Sequence, residues 1–470
     1  MSTRQSLHAL SAVDVGSERA FVINRTSGRW AILEASKAGH LVDAIHRRGE
    51  LETTLPIMEE LGRRGMFRQP YHPPTHLNTL IVKVTKRCNY GCTYCYDLED
   101  DDKPIDLSYE AALAAIDEAI RIAQSPAGES HPDLGVLFHG GEPTLRFDFI
   151  KQLVLEGERL ARERGKVVAF TVQSNLSHLT DEMVAFTKDH NLHWGVSLDG
   201  PPELNDKFRV LNNGDGTHAR FERTLRKYPE FAREIGVLST ITSETDSQLV
   251  RIARHIRTLG VPAWKWSLFQ PIGMGRHHAF QFTYSTERVI DSWNDLLACV
   301  EDGEFDGFDV GPVTEYLMNL ITGPGPNMCK RNGCGAARDL LSLSSDGTIE
   351  ACDCIDRKGS MGGLGLIQIQ TRDSLTKALA SGKAQRMRSR NVEIGMCGSC
   401  AWLALCGGTC MAHAGSADGI DASMCAIAMN GYTRLAQSLA KGPALRRYWN
   451  SLYPPPPTRP AAAAAVAVTQ

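Results

Sequence analysis

Apolar positions in the first 72 residues recur over short periods. Phe21-Val22-Ile23 and Trp30-Ala31-Ile32-Leu33 read as two short strands around a Thr26-Ser27-Gly28 turn. Leu41/Ile45 and then Met58/Leu61 recur at helical spacing, which predicts two amphipathic helices separated at Gly49. Tyr71-His72-Pro73-Pro74 reads as a linker. From about Asn78 apolar runs alternate with helical periodicity. Strands are predicted over residues 80–84, 134–138, 167–172, 193–198, 237–241 and 264–268. Helices are predicted over 108–123, 147–164, 181–189, 219–235 and 247–259, with a further amphipathic helix at 289–300. Six strands alternating with helices predict a parallel α/β sheet curled into a barrel or partial barrel, with its functional loops at the strand C-terminal ends. Beyond about Cys329 the chain is rich in Gly and Cys and short of helical pattern, as in a loop-dominated region. Prolines 454–457 and an alanine-rich stretch predict a disordered tail over 448–470.

Composition changes this picture little. The 470 residues are 42% hydrophobic and 22% charged, an ordinary globular balance in a chain too long for one core. The formal charge of −3 is spread along the chain, so neither nucleic acid nor a membrane surface is an expected partner. No run approaches the roughly 18 apolar residues of a membrane span, and the N-terminus has no signal-like apolar core. A cytoplasmic protein is expected.

The cysteines change it more. There are thirteen, an odd number in a long chain, so a disulfide scaffold is a poor explanation. None precedes Cys88; a trio follows, then Cys299, then a dense group from Cys329 to Cys425. Such clustering points to metal or iron–sulfur ligation. The trio Cys88-x3-Cys92-x2-Cys95 follows the first barrel strand and has no fourth cysteine nearby. Three thiolates on a four-iron cluster leave one iron open to chelate a cofactor; the competing explanation is a zinc loop or buried thiols.

Cys88-Asn89-Tyr90-Gly91-Cys92-Thr93-Tyr94-Cys95-Tyr96 after a strand resembles the signature of the radical S-adenosylmethionine (radical SAM) superfamily. The resemblance implies a partial (β/α)6 TIM-like barrel over residues 78–310. It also implies cleavage of S-adenosyl-L-methionine to methionine and a 5′-deoxyadenosyl radical at a [4Fe–4S] cluster on Cys88, Cys92 and Cys95, with electrons from a flavodoxin- or ferredoxin-type donor. Carried over residue by residue, Gly140, Gly141 and Glu142 match the glycine-rich strand end that holds the cofactor's amino group. Ser174 and Asn175 match the motif near its ribose, Tyr94 the aromatic position against adenine, and Ser197 in Ser197-Leu198-Asp199-Gly200-Pro201 the fourth-strand motif. Arg223, and secondarily Arg209, is expected to pair with its carboxylate.

Cys397-x2-Cys400-x5-Cys406-x3-Cys410, followed by Cys425 and preceded by Cys329, Cys334 and Cys352, resembles the SPASM extension of peptide-modifying radical enzymes. That resemblance implies two auxiliary [4Fe–4S] clusters over residues 325–430. One would use Cys329, Cys334, Cys352 and Cys410; the other Cys397, Cys400, Cys406 and Cys425. With the trio this makes three clusters; a zinc site is the competing explanation for one quartet. Cys299 reads as a buried helix thiol. Cys354 is expected to be passive, an extra ligand or a hydrogen donor. Asp353 resembles an aspartate that acts as a base in sulfatase-maturing relatives, or else serves as a turn residue.

Residues 1–72 resemble the winged-helix leader-binding module fused to many peptide-modifying enzymes. The combined expectation is a maturase that cross-links a ribosomally made precursor peptide through a C–C, C–O or thioether bond, with the leader docked on that module. Epimerisation, backbone excision and sulfatase maturation to formylglycine are the alternatives. An iron–sulfur electron carrier without catalysis is another class, which the glycine–glutamate motif and the open-iron trio disfavour.

Overall fold

The computed structural model describes residues 4–455 apart from 17, 54, 74, 100–102, 125–131, 326 and 391–394. Five strands open the chain: β1 (Arg4–Ser6), β2 (Leu10–Val13), β3 (Arg19–Asn24), β4 (Trp30–Glu34) and β5 (Glu50–Glu52). β1 pairs with β5, and β2-β3-β4 form an antiparallel sheet with β4 at one edge. Side chains alternate across that sheet, so its two faces serve different cores. Val22, Ala31 and Leu33 pack on the helices Ala35–His46 and Pro56–Arg63 through Leu41, Ile45, Met58 and Leu61. Phe21, Ile23, Trp30 and Ile32 face the other way, into the main body. There Phe21 stacks on Trp30 at 5.1 Å and meets Trp402 at 5.9 Å, and Trp402 stacks on Tyr432 at 5.4 Å. Trp30 Nε1 donates to the Leu320 carbonyl at 2.6 Å. The two strands and two helices read from the sequence are present; β1, β2 and β5 carry too few apolar positions to have signalled themselves.

The six barrel strands lie where the pattern placed them: β6 (Thr79–Lys83), β7 (Leu134–His139), β8 (Val168–Ser174), β9 (His193–Ser197), β10 (Ile235–Ile241) and β11 (Ala263–Leu268). They are parallel and neighbours in chain order, an open, partial barrel. β12 (Asp309–Val310) extends it beside β11. At the opposite edge β13 (Leu340–Leu343) lies parallel to β6 and leads into the antiparallel β14 (Thr348–Glu350) and β15 (Gly365–Leu366). The helix expected over 219–235 is two, His218–Lys227 and Pro229–Ala232. Pro229 has no N–H to continue the ladder.

Two expectations fail in the last third. A 20-residue helix, Ala422–Lys441, runs where loops were expected; Ile427, Ala428, Tyr432, Leu435 and Leu439 bury one stripe. Residues 448–452, assigned to the tail, belong to the helix Ala444–Leu452. Tyr448 is fully buried there, its hydroxyl accepting from Val310 N at 2.8 Å and donating to the Phe308 carbonyl at 3.0 Å. Residues 456–470 lie outside the described residues. No helix among the described residues is long and apolar enough to cross a membrane.

Phe21 joins the N-terminal sheet to the body, so Phe21→Ala should cost about 3–5 kcal/mol through the cavity it leaves. Limited proteolysis should then release the first 66 residues early. A cleavage rate equal to the parent's would show that the docked face carries no stability.

Candidate active site

The cysteine loop sits on the C-terminal rim of the barrel and is held by backbone. Gly141 N donates to the Thr85 carbonyl and Glu142 N to the Arg87 carbonyl, both at 2.8 Å. A Cβ on Gly140 would stand 2.5 Å from the Thr85 oxygen, and one on Gly141 2.2 Å from the Arg87 oxygen. Gly140 also has φ +115°. The two glycines are thus required for the loop to close on the end of β7. Glu142 is fully buried and acts as a bracket. Its Oε1 accepts from Thr144 N at 3.0 Å, Thr144 Oγ1 at 2.6 Å and Ser174 Oγ at 2.8 Å; its Oε2 accepts from Asn175 N at 2.7 Å. Burial raises its carboxyl above the usual range, and these donors offset part of the rise. Asn175 Nδ2 donates to Asn89 Oδ1 at 3.0 Å and lies 3.9 Å from Cys88 Sγ, which ties the end of β8 to the loop.

All thirteen cysteines are unpaired thiols. Cys88, Cys92 and Cys95 face a cavity of about 550 Å³ whose wall also includes Tyr90, Tyr94, Gly140, Gly141, Asn175, Ser197 and Arg209. Burial pushes the Cys88 and Cys92 thiols up to about 12 and raises Cys95 as well. Ser197 Oγ accepts from Gln173 Nε2 at 3.0 Å. Tyr94 is buried against Phe208 and Phe282, and its hydroxyl donates to Asp199. Asp199 also takes Arg209 Nε at 3.1 Å and Thr240 N at 2.9 Å. Arg223 is a correction. It stands exposed on His218–Lys227, because the helix turns Phe221 and Leu225 inward, and it does not reach the cavity. Arg209 is the guanidinium that does.

The same cavity reaches the second cysteine group, for Cys329, Cys354, Cys406 and Cys410 line its far wall. Thiols that raise one another fall into two sets. Burial and then Cys334, Cys352 and Cys410 hold Cys329 well above the thiol range, while burial, Cys334 and Cys352 push Cys410 up to about 12. Burial and then Cys406, Cys400 and Cys425 push Cys397 up to about 11. Cys354 lies with the first set: its contact with Cys352 lowers it, and burial with the Asp353 charge leaves it raised overall.

Three groups that the motifs did not single out join the two ends. His139 Nδ1 accepts from Gly140 N at 2.7 Å, so the neutral ring carries its proton on Nε2, 3.1 Å from Tyr96 OH. Tyr96 OH in turn donates to Asp353 Oδ2 at 3.0 Å. Behind them Lys83, on β6, is buried with Nζ 2.8 Å from Asp97, 3.6 Å from Glu350 and 3.3 Å from the Asp353 carbonyl. Burial works against its charge, but Asp97 and Glu350 outweigh it and raise Lys83 above the usual range. Tyr96 and His139 adjoin the motifs that were recognised; nothing in the sequence flags Lys83.

The Radical SAM superfamily model matches residues 82–256, the span that carries this rim. Residues 82–256 form a radical SAM domain. Among relatives, a cysteine-type anaerobic sulfatase-maturating enzyme of Clostridium novyi is 24% identical over 286 residues, 59% of this chain and 73% of its own length. A serine-type anaerobic sulfatase-maturating enzyme of Klebsiella pneumoniae is 23% identical over 355 residues, 73% and 84%. Two solved structures share the fold. Native anSMEcpe with bound AdoMet has a TM-score of 0.60 at 19% identity, covering 80% of this chain and 97% of that one. Streptococcus suis SuiB bound to precursor peptide SuiA has a TM-score of 0.53 at 14% identity, covering 90% and 99%.

The donor set fits the cofactors of a radical SAM domain. Three neighbouring thiols with no fourth would hold a [4Fe–4S] cluster with one iron free, beside a largely apolar wall whose polar groups, Asn175, Ser197 and Arg209 among them, could take S-adenosyl-L-methionine. Bound there, the two supply a hydrogen-abstracting radical. The protein's part is to seat them and exclude water. Replacing Cys88, Cys92 and Cys95 with Ala should abolish 5′-deoxyadenosine formation, and Gly141→Ala should do so through the backbone; cleavage retained in the triple variant refutes the assignment.

Proposed function

We propose that this radical SAM enzyme modifies a ribosomally made precursor peptide, taking a hydrogen from one residue and joining that residue to a second group by a C–C, C–O or thioether bond. The observation that carries the reading is the single cavity. Supporting it, Cys88, Cys92 and Cys95 line one side and Cys329, Cys354 and Cys410 another of the same open cavity of about 550 Å³. Cross-link formation removes a hydrogen atom, a proton and an electron from the peptide. Asp353, which accepts from Tyr96 and lines the cavity, would take the proton. The two quartets would each hold an auxiliary [4Fe–4S] cluster, the SPASM arrangement, and such groups accept electrons. A flavodoxin- or ferredoxin-type donor would supply the trio.

The leader would dock on the N-terminal module. β4 pairs with β3 alone, in a register where Ala31 and Leu33 face β3 and the amides of Trp30, Ile32 and Glu34 point away from it. An extended peptide can add there as a further strand. Because the other face of this sheet is packed into the body, removing the module would expose core, and amide exchange is the cleaner probe. Adding the peptide should slow exchange across Trp30–Glu34; unchanged exchange rejects strand addition.

Sulfatase maturation is the second reading, favoured by the relatives of both the cysteine and serine type and by Asp353. Co-expression with a small peptide encoded beside the gene, followed by tandem mass spectrometry, separates the outcomes. Loss of two hydrogens with a linked fragment supports the cross-link, no mass change means epimerisation, and a larger loss excision. An aldehyde trapped by hydrazide on a sulfatase-derived peptide would establish formylglycine formation instead. Iron in the anaerobically reconstituted protein should approach about twelve atoms per chain for three four-iron clusters; about four would remove the auxiliary pair.

A further inference from the structure

The segment after β11 touches both halves of the cavity, and no motif drew attention to it. Phe269 N donates to the Ile241 carbonyl at 2.9 Å, anchoring the segment on the barrel. Gln270 follows; it lines the cavity, is only 8% exposed, and donates through Nε2 to the carbonyl of Cys354 at 3.0 Å. Three residues later the chain lies directly on the cysteine loop. Met274 N donates to the Leu98 carbonyl at 2.8 Å, and a Cβ on Gly273 (φ +58°) would stand 2.5 Å from the Cys95 oxygen and 2.6 Å from the Tyr96 oxygen. Arg276 closes the far end on Asp356 at 2.9 Å. Residues 269–276 are therefore a strap, fastened by backbone to the loop that follows Cys95. On its other side it holds the turn of Cys352, Asp353 and Cys354.

We infer that Gln270 is a positioning residue, whose hydrogen bond from this strap to the Cys354 carbonyl sets how far the Cys352–Cys354 turn stands from the radical-forming loop. The inference rests on the reading above that a peptide reacts between these two walls. Tyr96 to Asp353 is a side-chain link between the same walls; Gln270 acts on the backbone of the turn at the Cys354 carbonyl, as Lys83 does from β6 at the Asp353 carbonyl. With Gln270 in place the turn's Cys354 carbonyl is bonded from the strap. Without that donor, its carbonyl loses a buried partner and the turn can shift. A displacement of about 1 Å at a reacting centre can cost as much as a hundredfold in rate. A group misplaced in this way leaves the radical to be quenched without product.

Gln270→Met keeps the length and removes the donor, and Gln270→Glu keeps the shape with an acceptor in place of the donor. In both, amide exchange of residues 352–356 in the anaerobic, iron-loaded protein should speed up, at unchanged iron content. The ratio of 5′-deoxyadenosine to modified peptide should rise about tenfold. A variant that is merely less stable lowers both products together and leaves this ratio as in the parent, and that result overturns the inference. Exchange at 352–356 identical to the parent overturns it as well, whatever the reaction. If the parent converts no peptide at all, the proposed function falls, while the exchange measurement still decides the role of Gln270.

Discussion

The parallel pairing of β13 with β6 is the contact on which the arrangement of the site depends. Leu340 to Leu343 lie opposite Thr79 to Val82, so the strand that opens the cysteine-rich third is laid beside the strand that opens the barrel. β14 turns back along β13, and the chain leaves it at Cys352. A turn some 260 residues beyond the radical-forming loop thereby reaches the same rim. A slip of one residue in this pairing would exchange the two faces of β13 and turn inward side chains outward. The cavity has two kinds of cysteine wall because a single sheet continues across the boundary between them.

Buried charge locks that junction. Lys83 sits on β6, Asp97 in the loop after Cys95, and Glu350 on β14, so one ammonium reaches three segments of chain. Removing one member of such a set leaves the others charged and dry, which costs several kcal/mol. Polar contacts on the rim side, Tyr96 to Asp353 and Glu142 to the ends of β7 and β8, are similarly committed. The rim is therefore held by the protein's own contacts, as preorganised sites need to be.

Much of this was legible in the chain. The six barrel strands announce themselves as apolar runs between helical stretches, and the two cysteine groups of the sequence meet at one cavity. The helix drawn over 108–123 is present as Tyr109–Ile122, whereas Pro229 cut a helix that periodicity alone had drawn through it. The long helix at Ala422 was hidden by its cysteine-rich surroundings. Arg223 misled because helical arginines look alike until the apolar stripe is known, and Phe221 and Leu225 turn it to solvent. The bracket that Glu142 forms with Thr144, Ser174 and the Asn175 amide is not announced by its motif. Lys83 and Gln270 were invisible for a common reason. Each acts through a contact made only in three dimensions, with a partner far along the chain.

The two thiol sets also interleave along the chain. In the proposed ligation Cys329, Cys334 and Cys352 wait for Cys410, while Cys397, Cys400 and Cys406 wait for Cys425. During synthesis the barrel is finished while neither set is. The first is completed only when Cys410 emerges, by which point three members of the second are already present as open thiols. Seven or more reactive sulfurs are thus exposed together, and the wrong four can be captured. Under the proposed ligation, biogenesis becomes a problem of timing, because iron delivered before Cys425 has left the ribosome would meet the wrong partners.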